Sequence, residues 1–112
     1  MAGSSGCRVE LTRQARKDLD KLAKKNPAAS AAADAALLAL EEGRRTGHSL
    51  SGDLAGCRAL EFSVRGSGQY RAVYVPVDEA TVCVVIVVAT HENVYEEARR
   101  RARQVLRDSM GA

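Results

Sequence analysis

Residues 82–89 read Val-Cys-Val-Val-Ile-Val-Val-Ala, and this run constrains the fold more than any other feature of the chain. A half-exposed strand alternates apolar and polar side chains, whereas an unbroken apolar run suits a strand with both faces covered. Eight residues also fall far short of the roughly 20 that a membrane-spanning helix needs. The run therefore predicts a central strand lying between two layers. A helical hairpin upstream can supply one layer. The C-terminal helix or a partner chain must supply the other.

Spacing elsewhere predicts those layers. Arg8–Leu11 reads as a first short strand. Thr12 suits a helix cap, and Leu11, Ala15, Leu19, Leu22 and Ala23 recur at helical spacing behind it. Asn26-Pro27 ends that helix and opens a second, from about residue 27 to 43, rich in alanine and carrying Leu37, Leu38 and Leu40. Residues 43–56, punctuated by Gly43, Gly47, Gly52 and Gly56, read as a loop.

From Arg58 the period becomes two. Leu60, Phe62 and Val64 alternate with Ala59, Glu61, Ser63 and Arg65. Gly66-Ser67-Gly68 is a hairpin turn, residues 70–75 form the next strand, and Pro76 should weaken or bulge its end. Asp78-Glu79 turns the chain into residues 81–90. Asn93 with Glu96 resembles a helix cap, followed by Tyr95, Ala98, Ala102, Val105 and Leu106. The expected class is α+β: an N-terminal helical hairpin packed on a small antiparallel sheet, with a C-terminal helix. A chain of 112 residues fits one domain, expected at 8–112 after a flexible tail at 1–7.

Hydrophobic residues make up 46% of the chain and charged residues 28%, enough for a core and a solvated surface, which excludes a disordered or collagen-like chain. The N-terminal six residues have no basic start and no apolar stretch, so no secretory leader is expected there. Cys7, Cys57 and Cys83 show no metal-ligand spacing and read as reduced thiols in a cytoplasm. Net charge is +3, with +4 concentrated in residues 7–25 and a run of Arg99, Arg100, Arg101, Arg103 and Arg107 near the end. That distribution permits a polyanionic partner, and equally suits solvated helix surfaces.

Four stretches carry a resemblance. They are Leu11, Thr12, Ala15, Lys17, Asp18, Leu19 and Leu22; Leu50-Ser51-Gly52-Asp53-Leu54-Ala55-Gly56-Cys57-Arg58; Gly68-Gln69-Tyr70-Arg71-Ala72-Val73-Tyr74; and Val87-Val88-Ala89-Thr90-His91-Glu92-Asn93-Val94-Tyr95. In this order the chain resembles the RelE/ParE toxins of type II toxin–antitoxin pairs, more closely the RelE branch. The resemblance implies a ribosome-dependent mRNA endonuclease that needs no metal or other cofactor. In that chemistry a ribose 2′-OH attacks the adjacent phosphate, leaving a 2′,3′-cyclic phosphate and a 5′-OH. It also implies an antitoxin partner, contact with ribosome and mRNA, and no membrane association.

Such chemistry needs a base, an acid and a cation near the developing charge. Arg71 matches the arginine of the family's Tyr-Arg-x-x-Tyr strand that contacts the scissile phosphate. His91 matches a position holding Arg or His, and imidazole exchanges protons near neutral pH. Tyr95 matches a tyrosine that stacks on the base or aids the chemistry, and also suits a helix anchor. Glu61 stands where RelE has lysines, and reads as the base or as an ion-pair partner of Arg58 or Arg71. Arg58 and Arg65 are candidate RNA-phosphate contacts, with His48 a further candidate at the same mouth. The alternatives are a ParE-like binder of DNA gyrase without nuclease activity, or an inactive module that only binds antitoxin.

Overall fold

The computed structural model describes residues 6–111, with side chains described as far as Arg103. Val105, Leu106 and Arg107 therefore lie outside the described side chains, and residues 1–5 of the expected tail lie outside the described residues. Cys7, also assigned to that tail, is held: its N–H donates to the Glu41 carbonyl at 3.1 Å.

The two expected caps form. Between β1 (Arg8–Leu11) and α1 (Arg13–Lys25), Thr12 Oγ1 accepts from the Ala15 N–H at 3.1 Å. Asn26 Oδ1 accepts from the Ala29 N–H at 3.1 Å and opens α2 (Pro27–Glu41), with Pro27 in its first turn. Each cap satisfies an amide that the first helical turn would otherwise leave unpaired. Asn26 alone separates the helices, which share a core through Ala15, Ala29, Ala33 and Ala36. Leu11, Leu19 and Leu22 pack against it, whereas Ala23 lies at the rim of that stripe and is exposed. Leu37 and Leu40 are buried, but Leu38 is half-exposed.

The expected loop at 43–56 contains more structure than its glycines suggest. It holds β2 (His48–Ser49) and a 3-10 turn at Gly52–Leu54 that buries Leu54. β2 pairs with β3 (Arg58–Val64), which continues as an antiparallel meander into β4 (Gly68–Val77) and β5 (Val82–Thr90). β1 then pairs with β5 in parallel. The sheet is thus mixed and five-stranded, in the order β1-β5-β4-β3-β2, where the pattern alone suggested a small antiparallel one.

Pro76 does not break β4, which stays paired through Val77 opposite Val82. β3 starts opposite Tyr74, so β4 has no β3 neighbour at Pro76, and a missing N–H is tolerated there. The irregularity lies instead at Val73/Tyr74, which pair with Val87 and Val85 and leave Ile86 as an extra residue in β5. That residue shifts which face the following side chains of the apolar run meet. Cys83, Val85 and Val88 face the helical hairpin, whereas Ile86 and Val87 share the opposite core with Val94, Ala98 and Ala102 of α3 (His91–Gly111). Both faces of β5 are covered within the chain, the second by α3. The expected cap at Asn93 does not form, because α3 starts at His91 directly after β5. Asn93 lies inside the first turn, with Nδ2 donating to Thr90 Oγ1 at 3.3 Å.

Candidate active site

Strand alternation selects the residues of the site. Leu60, Phe62, Tyr70 and Ala72 face the helical hairpin, so Glu61 and Arg71 point to the face that α3 only partly covers. They are directly opposed on β3 and β4, and Arg71 opposes Ala89 on β5. Glu61 Oε2 lies 2.7 Å from Arg71 Nη2. From above, α3 sets Tyr95 over the guanidinium, with Cζ 5.4 Å from the ring centroid, and Arg71 Nη1 donates to the Tyr95 hydroxyl. His91 precedes Tyr95 by one helical turn on the same side of α3, and the two rings meet edge-on with centroids 6.3 Å apart.

The result is a line: Glu61, Arg71, Tyr95, His91. Its centre is nearly dry, since the Arg71 side chain is 13% exposed against 43% for Glu61. A guanidinium in that setting is charged, oriented and cheap to present to an anion. Arg71 Nε is buried with no hydrogen-bond partner among the described residues, so the cation keeps one donor uncommitted there. His91 is exposed at the rim.

The other three sequence candidates are not in this cluster. Arg58 has the parity of Leu60 and lies opposite Tyr74, on the hairpin face of the sheet. Its Nε donates to the Gly47 carbonyl at 2.8 Å and its Nη1 to Ser49 Oγ at 2.9 Å, which pins β2 to β3. Gly47 fits that corner because a Cβ there would stand 2.7 Å from the Ala59 carbonyl oxygen. Arg65 is exposed in the turn after β3 and makes no hydrogen bond or ion pair among the described residues. His48 is exposed on β2 opposite Ala59, one row from Glu61 on the same face.

The sequence reading passed over a structural pair that seats α3. β1 covers the β5 edge only as far as Val85; beyond it, side chains complete the ladder. Asp18 Oδ2 accepts from the Val88 N–H at 3.0 Å, and Arg101 Nη1 donates to the Ile86 carbonyl at 2.8 Å. The two side chains also pair with each other at 2.7 Å, and are 18% and 14% exposed. Three arginines of the run are therefore tied down rather than free. Arg101 is turned inward, Arg100 pairs with Glu97, and Arg99 lies 4.0 Å from Asp53.

Burial pushes the Cys57 and Cys83 thiols up, Cys83 to about 12 with help from Cys7, which disfavours the reactive thiolate. Among the described residues no group of three or more His, Cys, Asp or Glu could hold a metal ion. No helix among them is long and apolar enough to cross a membrane.

Solved structures share this arrangement of strands and helices. The toxin–antitoxin complex RelBE2 of Mycobacterium tuberculosis is 30% identical, with a TM-score of 0.60 over 77% of this chain and 92% of that one. An arginine-to-alanine double mutant of the Escherichia coli toxin RelE, in the free state, is 26% identical with a TM-score of 0.62, covering 89% of this chain and 98% of that one. The corresponding mutant in complex with a peptide of the antitoxin RelB is 28% identical, with a TM-score of 0.51 over 83% and 94%. No curated protein matches the sequence. A family model described as the ParE-like toxin of type II bacterial toxin–antitoxin systems matches residues 9–99, from β1 to the middle of α3. The chain belongs to that toxin family, with a RelE-like α+β fold.

Proposed function

We propose that this toxin is a metal-independent endoribonuclease that cuts mRNA on the ribosome. The observation that carries the reading is the mostly buried Arg71 guanidinium held between Glu61 and Tyr95, with His91 beyond the tyrosine. In-line displacement at phosphorus needs proton-transfer groups on opposite sides of the phosphate and positive charge between them. Glu61 and His91 stand at opposite ends of the line, with Arg71 in the middle. When a phosphodiester enters, its oxygens replace Glu61 and Tyr95 as acceptors for Arg71. The released Glu61 carboxylate takes the proton from the 2′-OH. His91 donates a proton to the departing 5′-oxygen. Tyr95 stacks on the neighbouring base. The products are a 2′,3′-cyclic phosphate and a 5′-OH.

Arg71 and Arg65 give this face few cations, so its own affinity for RNA is weak and the ribosome supplies the positioning. Solved relatives in complex with their antitoxins support a cognate antitoxin in a hetero-oligomer here, presenting acidic groups to Arg71. The proposed compartment is the cytoplasm, where three free thiols persist. To test the reading, the chain is expressed inducibly and the 5′ ends of cellular mRNA are mapped. Cuts in phase with codons support it. DNA breaks with an SOS response and intact mRNA would replace it with the gyrase-binding reading.

A further inference from the structure

The sheet face that carries Glu61 and Arg71 continues past them towards the β3–β4 turn. Two residue pairs further, Ser63 on β3 opposes Gln69 on β4, about 7 Å along the strands and on the same face. Both are exposed, and neither side chain makes a hydrogen bond among the described residues. That separates them from their neighbours, since Glu61 and Arg71 are committed to each other and Arg71 also to Tyr95. The Phe62 and Tyr70 rings stack with centroids 5.6 Å apart, but they do so in the hairpin-facing core and offer no platform on this side.

Resting on the nuclease reading, we infer that Ser63 and Gln69 form the base-reading subsite, contacting the nucleotide next to the scissile phosphate on the side of the β3–β4 turn. Two uncharged polar groups add little to the attraction for a polyanion, which comes from cations. What they add is direction. A primary amide places a donor beside an acceptor, a fork that adenine returns through its amino group and ring nitrogen, and the serine hydroxyl can donate or accept. Sequence in single-stranded RNA is read through hydrogen bonds of this kind to exposed base edges. Arg71 fixes the phosphate, the sheet fixes the distance to Gln69, and so a single neighbouring base falls within reach.

The test is the distribution of cut sites from a ribosome-programmed mRNA library, compared for wild type, Gln69→Ala and Ser63→Ala. The wild type is expected to favour adenine at one position adjoining the cut. Gln69→Ala should slow cleavage at preferred sites by roughly 5- to 100-fold and leave disfavoured sites almost unchanged, so the bias at that position collapses. Ser63→Ala should reduce the same bias less. A bias unchanged in both variants, or all sites slowed equally, overturns the subsite while leaving the nuclease intact. A wild type that cuts no RNA overturns both. Because both side chains are exposed, melting temperatures within about 2 °C of wild type are expected and separate lost recognition from lost folding.

Discussion

Asp18 should matter to stability far more than an acidic residue on a lysine-rich helix normally does. Replacing it with alanine removes the acceptor of the Val88 N–H and one partner of Arg101. An amide left unpaired in a mostly buried position costs about 1–3 kcal/mol. Breaking a fully buried ion pair costs about 3–5 kcal/mol, but here Arg101 retains the Ile86 carbonyl and Glu97, each at 2.8 Å. The expected loss is therefore about 2–3 kcal/mol, which for a domain of this size lowers the melting temperature by about 8–12 °C. Urea unfolding and calorimetry of Asp18→Ala measure it. Asp20, exposed on the same helix, is the internal control, and its alanine variant should stay within about 0.5 kcal/mol of wild type. Asp18→Asn should fall in between, because an amide oxygen can still accept from Val88. Equal stabilities for Asp18→Ala and Asp20→Ala would refute the assignment of this pair as the clasp between α1, β5 and α3.

Ala80 closes a run of three left-handed residues with Asp78 and Glu79, at φ 69°, 52° and 58°, so Ala80→Gly should raise stability by about 0.5–1 kcal/mol in urea unfolding. The Arg100 hydrogen bond, followed by Arg101, holds the Glu97 carboxyl below its ordinary value of 4.5, so its stabilisation is present above that value and is lost as pH falls through the depressed one. Glu97→Gln should thus cost about 0.5–1 kcal/mol at pH 7, with the gap from wild type closing in acid. With the Cys57 and Cys83 thiols pushed up by burial, a thiolate-specific reagent at pH 8 should label Cys7 first in the native protein and all three cysteines after denaturation. Equal native rates for all three would contradict the burial of Cys57 and Cys83.

Local rules were enough wherever the determinant was local. Thr12 and Asn26 cap as their side chains predict, the hairpin turn forms at Gly66-Ser67-Gly68, and the alternation around Phe62 assigns a face to every residue of β3. The same alternation already separated Arg58 from Glu61, which is how the sequence could have excluded Arg58 from the site. What it could not carry were consequences of distant pairing. The parallel match of Arg8 with Val82 and the extra residue at Ile86 depend on segments far apart in the chain. Asp18 and Arg101 lie 83 residues apart, and no helical periodicity marks either as the partner of the β5 edge. The site behaves likewise. Arg71 and Tyr95 were each visible, but their stacking follows from α3 starting without a linker at His91.

The central claim, that the line from Glu61 to His91 is a proton-transfer site for RNA cleavage, is tested most directly by timing ribosome-programmed mRNA cleavage with wild type, His91→Ala and Arg71→Lys. His91→Ala should lower the rate by roughly 100- to 10,000-fold while ribosome binding survives, the usual scale for a general acid or base. Arg71→Lys should keep the charge but lose the paired donors, and so retain only part of the activity. Cleavage by His91→Ala at the wild-type rate would contradict the account.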